Sequence, residues 1–204
     1  GWLVEGAAID RVATALNLVS KRALEAKAPI FFEKMSAVGL TAAFDAGMID
    51  TEEIGREVAF ALAKEQRLPV RVVASLYVNR PSDLIDAIDR LRELNERYDH
   101  PFFDVNTLKL SLDGTVEAKT AVTLDPYSTP EGHRATPLFP QDLMEETVVM
   151  AARENIDLHL HAIGDGAVRT ALDAVEAARA AHQDTNSRFT ICHIEVVDAV
   201  DIPR

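Results

Sequence analysis

Leu158-His159-Leu160-His161-Ala162-Ile163-Gly164-Asp165-Gly166-Ala167-Val168 is an apolar strand pattern that stops at Gly-Asp and runs straight into a helix pattern. Alternate side chains of a strand share a face, so His159 and His161 point the same way, with His161 nearer the C-terminal end. Parallel barrels keep their chemistry at that end. A histidine in an apolar strand is, taken alone, more often a hydrogen-bonded core residue than a ligand, and its company along the chain changes the balance. Residues 188–197 form a second strand-like run carrying His193, and residues 107–114 form a third carrying Lys109. Three successive strands each offer one inward polar group.

Outward from these strands, strand and helix signals alternate with no low-complexity linker or composition break, so residues 1–204 read as a single domain. Residues 7–38 are helical in pattern, with Pro29 expected to interrupt them. A short apolar strand follows over 39–47. Asp50 with Glu53 resembles a capping box that opens a helix to about Lys64. Residues 68–78, rich in Val, are the clearest strand. Leu84, Ile85, Ile88, Leu91 and Leu94 then share one helical face. Residues 114–140 carry four prolines and little periodicity, and a loop of that length inside a domain is usually functional. Pro140 can occupy the first turn of the next helix, to about Glu154. Ala167, Val168, Ala171, Leu172, Val175 and Ala178 mark one more packed helix. The alternation predicts βα units and a parallel sheet, which an open doubly wound fold and a closed barrel satisfy equally. No Gly-x-Gly-x-x-Gly turn follows the first strand, and neither a Walker lysine loop nor a Gly-x-Ser-x-Gly elbow occurs.

At 48% hydrophobic and 26% charged, the 204 residues have the composition of a globular protein with a real core. A formal net charge of -12 argues against a nucleic-acid partner, because phosphate binding needs a basic field. No apolar run approaches the roughly 20 residues of a membrane span, and no secretory leader opens the chain, so no membrane partner and a cytoplasmic location are expected. The single Cys192 excludes an internal disulfide and fits a reducing compartment. Lying next to His193, it is expected to face away from that histidine and pack as a small hydrophobe. The chain starts at Gly1 and ends just after a strand, which suggests a piece of something longer.

The ordered set Lys109-Leu110-Ser111-Leu112-Asp113-Gly114, Thr120-Ala121, Pro126-Tyr127, His161-Ala162-Ile163-Gly164-Asp165 and His193, with Asp201-Ile202-Pro203-Arg204, resembles the signatures of the family 3 amidohydrolases. These are the YtcJ-like metal-dependent hydrolases of the amidohydrolase superfamily. Gly39-Leu40-Thr41 with Asp45-Ala46-Gly47 resembles that family's second barrel strand. The resemblance implies an α/β fold, a (β/α)8 TIM barrel, of which this chain holds about strands 2 to 6. It also implies one or two divalent metals, most simply Zn, at the C-terminal mouth. By position His161 is the ligand from the fifth strand and His193 the ligand from the sixth. Lys109 stands on the fourth strand, where the superfamily can use a carboxylated lysine, which turns a repelling cation into an oxygen anion. The implied reaction is hydrolysis of a non-peptide carbon–nitrogen bond in a small-molecule substrate by metal-activated water. The family's first-strand His-x-His pair and last-strand catalytic Asp have no counterpart here, so the catalytic residue is unknown and the isolated chain is expected to be inactive.

Four further residues have two readings each. His159 reads as a barrel-interior residue or a support for the ligands. Asp165 can orient a ligand or cap a helix. Asp113 divides between a turn and a mouth-facing carboxylate, and Glu195 between a partner of His193 and a polar strand end. His133, in the long loop, reads as solvated. The rival readings are a Schiff-base Lys109 of aldolase type and a non-catalytic binding or regulatory homologue. A homo-oligomer stays open.

Overall fold

The computed structural model describes residues 6–16, 18, 20–47 and 51–204. The chain divides into two compact units, residues 1–77 with 90–107 and residues 78–89 with 108–204. The first unit begins with helices α1 (Gly6–Ala15) and α2 (Lys21–Ala37), followed by strand β1 (Ala42–Asp45), helix α3 (Glu52–Lys64) and strand β2 (Arg71–Val78). Pro29 lies inside α2 rather than breaking it. The interruption comes earlier, where Ser20 caps α2 by accepting from the Ala23 N–H at 3.3 Å. The expected capping residue Asp50 lies outside the described residues, and Thr51 occupies the N-cap position of α3 without a side-chain cap.

Helix α3 is amphipathic and buries Val58, Ala59, Leu62 and Ala63. Its first turn is tied to β2 by ionic hydrogen bonds. Arg56 donates to Glu52 at 3.0 Å and to the Ser75 carbonyl at 3.1 Å, while Glu52 accepts the Tyr77 N–H at 3.2 Å. Burial raises the Glu52 pKa above the ordinary carboxylate range, against the opposing pull of Arg56. Helix α4 (Ala87–Arg97) starts after a 3-10 turn at Pro81–Asp83. Ile88 and Leu91 are buried as the face pattern requires, and Leu84 is buried in the turn before the helix, whereas Ile85 is 82% exposed. Ile85 precedes the helix, so the helical period does not govern it.

Strand β3 (Phe103–Ser111) begins earlier than the Lys109 motif suggests and passes from the first unit into the second. The second unit continues with α5 (Gln141–Arg153), β4 (Asp157–Ala162), α6 (Asp165–Ala181) and β5 (Phe189–His193). Pro140 takes the N-cap position of α5 rather than its first turn. Leu158, Leu160 and Ala162 of β4 are at most 1% exposed, and they alternate with the half-buried His159 and His161. The small faces of α5 and α6, with Ala151, Ala152, Ala171, Ala174 and Ala178 all buried, let the two helices pack closely.

The five strands hydrogen-bond in sequential order, β1-β2-β3-β4-β5, and the β1–β2 and β4–β5 pairs are parallel. A doubly wound sheet reverses its order at a switch point, whereas a barrel wall does not. Strand order therefore decides between two architectures that periodicity leaves equal, in favour of the barrel type.

Candidate functional site

The site is built on the C-terminal ends of β3, β4 and β5. Parallel register sets Thr190 opposite His159, Cys192 opposite His161 and His193 opposite Ala162. Register partners share a face, so Cys192 is on the face of His159 and His161. The expectation that Cys192 packs as a small hydrophobe is corrected here, because it stands among the polar groups of the cluster. Its Sγ lies 3.1 Å from Lys109 Nζ and 3.7 Å from His159 Nδ1. His193 joins the same cluster by other means. Its φ of 78° and that of Ile194, 49°, take the chain into the left-handed region at the strand end. The His193 ring then meets that of His161 edge-on, with centroids 4.4 Å apart.

Burial is the leading influence on the titration of His159, His161 and Lys109. His159 is held at about 4, by burial first and then by the charge of Lys109 and the neighbouring imidazoles. Burial also lowers His161, against a raising contact with the Gly114 carbonyl. That carbonyl can only accept, so the His161 Nε2 facing it at 3.3 Å carries the proton and Nδ1 keeps its lone pair. A metal-ligating histidine commonly has this arrangement, one nitrogen donating to a carbonyl and the other free to bind. Lys109, 5% exposed, is lowered by desolvation, partly offset by Cys192. Among the described residues, no three His, Cys, Asp or Glu side chains converge as a ready metal site. Neutral imidazole suits a divalent ion, and His161 and His193 offer two such side chains.

Asp113 is a clamp for the backbone around the cluster. Its side chain is 0% exposed. Its Oδ1 accepts the Ile163 N–H at 3.0 Å, and its Oδ2 accepts the N–H groups of Gly164 and Val122, both at 2.9 Å. His161 Nε2 stands 3.6 Å from Oδ1. Asp165 is the first residue of α6 and accepts the Leu124 N–H at 2.9 Å and its neighbour Gly166 N–H at 3.0 Å. Gly166 and Ala167 in turn donate to the Val122 carbonyl at 3.0 and 3.2 Å. The proline-rich segment 114–140 is thus fastened to the start of α6 by both carboxylates. His133 is exposed as expected, although its Nε2 also lies 2.9 Å from the Lys119 carbonyl. Glu195 is exposed, two residues past the end of β5.

Sequence reasoning missed Cys192 and the Gly114 carbonyl as members of the cluster. The β4–β5 register would have revealed the first. Counting back by two from His193 fails, because the left-handed turn breaks the alternation there.

Known proteins resemble the chain over much of its length. It is 29% identical over 141 residues, 69% of its length, to the exoenzymes regulatory protein AepA of Pectobacterium carotovorum subsp. carotovorum. It is 25% identical over 114 residues, 55% of its length, to YtcJ of Bacillus subtilis (strain 168), a protein assigned by name as an amidohydrolase. These matches cover 30% and 21% of the two relatives, so the chain spans about a third of their length or less. A crystal structure of an uncharacterized metal-dependent hydrolase from Pyrococcus furiosus superposes with a TM-score of 0.63 at 26% identity, over 86% of this chain and 36% of that one. Another such hydrolase, from Pyrococcus horikoshii OT3, gives 0.62 at 21% identity over 83% of this chain and 34% of that one, a likeness of fold alone. The sequential sheet agrees with part of a TIM-like barrel of that kind. The model described as the amidohydrolase family matches residues 1–204, and the chain belongs to that family.

Proposed function

We propose that this chain contributes the metal-binding wall of a metal-dependent hydrolase that cleaves carbon–nitrogen bonds other than peptide bonds in small molecules. The observation that carries this reading is the meeting of His161 and His193 at the strand ends, with His161 Nε2 engaged by the Gly114 carbonyl and Nδ1 left as a donor. His161 and His193 would hold the ion. Lys109 would complete the set after its amine takes up carbon dioxide, giving a carbamate and releasing a proton. Desolvation favours the neutral amine that this reaction needs. Zinc is the ion that two neutral imidazoles and an oxygen anion suit best, and when bound it supplies Lewis acidity and an activated water. Asp113 and Asp165 would hold the loop 114–140 at the mouth, where it can shape the substrate pocket.

A second reading has one observation in its favour. AepA is named a regulatory protein, and a homologue with a regulatory role need not turn over substrate. Zinc titration of the chain and of His161→Ala and His193→Ala, in bicarbonate buffer, tests the metal site. Affinity falling at least tenfold in each variant, with both still folded, is expected. Equal zinc binding by all three proteins would overturn the assignment and favour the second reading.

A further inference from the structure

Lys109 and Cys192 are paired in a way that the hydrolase reading does not use. Lys109 is 5% exposed, and its one hydrogen bond among the described residues is to Cys192 Sγ at 3.1 Å. A lysine amine has three donor positions in its charged form, so a single sulfur leaves it poorly satisfied and aimed at that atom. His159 Nδ1 flanks the same sulfur at 3.7 Å. Cys192 itself is half-buried on β5, within reach of a small solute. It is also the only cysteine of the chain. An oxidised Cys192 therefore has no second thiol in the chain to resolve it, and the nearest nucleophile is an amine already held in contact.

We propose that Lys109 and Cys192 form an oxidative modification site, at which a peroxide joins the lysine nitrogen directly to the cysteine sulfur. In the first step the sulfur attacks one peroxide oxygen. The O–O bond breaks, S–OH forms, and the thiol hydrogen leaves with the other oxygen as water. In the second step the Lys109 nitrogen lone pair attacks that sulfur. The S–O bond breaks, the S–N bond forms, and the hydroxyl leaves as a second water with one hydrogen from nitrogen. One thiol, one amine and one peroxide give one sulfenamide link and two waters, with sulfur oxidised by two electrons and peroxide reduced by two. Holding the amine against the sulfur makes the second step intramolecular, which lets it compete with further oxidation of S–OH. The link uses no metal, and it consumes the Lys109 nitrogen that the hydrolase reading would carboxylate, so a chain carrying the link cannot also carry the carbamate.

The test is treatment of the folded 204-residue chain with hydrogen peroxide, followed by intact mass and a tryptic map. The expected product is a monomer lighter by two hydrogens, in which trypsin no longer cuts after Lys109 and the Lys109 and Cys192 peptides travel together until dithiothreitol is added. A sulfinic or sulfonic acid, heavier by two or three oxygens with cleavage after Lys109 intact, would overturn the proposal. So would a disulfide-linked dimer or a link heavier by a bridging oxygen. Lys109→Arg should divert the product to the sulfinic acid. Prior alkylation of Cys192 by iodoacetamide must abolish the lighter species without any substitution, and its survival would also overturn the proposal.

Discussion

A carboxylate that accepts three backbone N–H groups cannot be removed without orphaning them. Asp113→Ala would leave the donors of Ile163, Gly164 and Val122 without their acceptor in a site where the carboxylate is fully buried. Charge-assisted hydrogen bonds contribute roughly 1.5–3 kcal/mol each, so a loss of about 3 kcal/mol or more is expected from urea unfolding. A loss below about 0.5 kcal/mol would remove Asp113 from this role. Asp201 gives a pH-dependent counterpart. Its side chain, 2% exposed, takes Arg169 at 2.9 Å and Arg204 at 3.1 Å. The Arg169 hydrogen bond, aided by Arg204, holds its carboxyl below the ordinary aspartate range. A carboxylate whose folded value is depressed stabilises the fold above the unfolded value, near 3.8. That stabilisation is lost as pH falls through the folded value. Asp201→Asn should therefore lower the melting temperature at pH 7, with the difference from the parent shrinking below about pH 4. A difference that stays constant from pH 7 to pH 3 would contradict the ion-pair account.

Among the elements, α6 and its approach show what a close backbone contact demands. A Cβ on Gly164 would sit on the Val122 carbonyl, so Gly164→Ala must push segment 114–140 away from α6. Overpacking of this kind costs roughly 1–3 kcal/mol, and proteolysis within 114–140 should accelerate with it. Gly55→Ala in α3 is the contrast, since a Cβ there meets nothing within 4 Å. It should stabilise by about 0.5–1 kcal/mol in the same thermal melts. Elements with strong periodicity were legible in the sequence. The Val-rich β2, the Ala-rich buried face of α6 and the His159/His161 alternation all follow from patterns of period 2 or 3.6. The face of Cys192 was not legible, because register is a relation between strands and His193 leaves the extended region. Nor was the Asp113 clamp, whose partners Ile163 and Gly164 lie 50 and 51 residues along the chain. Ile85 misled for a local reason, a turn that starts the helical count two residues late.

At the scale of the molecule, burial is graded across the sheet. Val70, Val72, Ala74 and Leu76, in and just before β2, are at most 4% exposed, whereas β1 keeps only Ala43 half-buried. In the second unit, Leu158 and Leu160 of β4 are at most 1% exposed, while no residue of β5 is buried. A strand held on one side and open on the other exchanges its amide hydrogens through small local openings, whereas a strand paired on both sides requires a larger one. Hydrogen exchange on this chain should therefore protect β4 over β5, and β2 over β1, by at least tenfold within each unit. Association with a partner that adds a strand next to β5 would raise its protection and leave β4 little changed. Equal protection of β4 and β5 in the isolated chain would mean that β5 is already covered in solution, and its exposed face would then belong to an interface between copies.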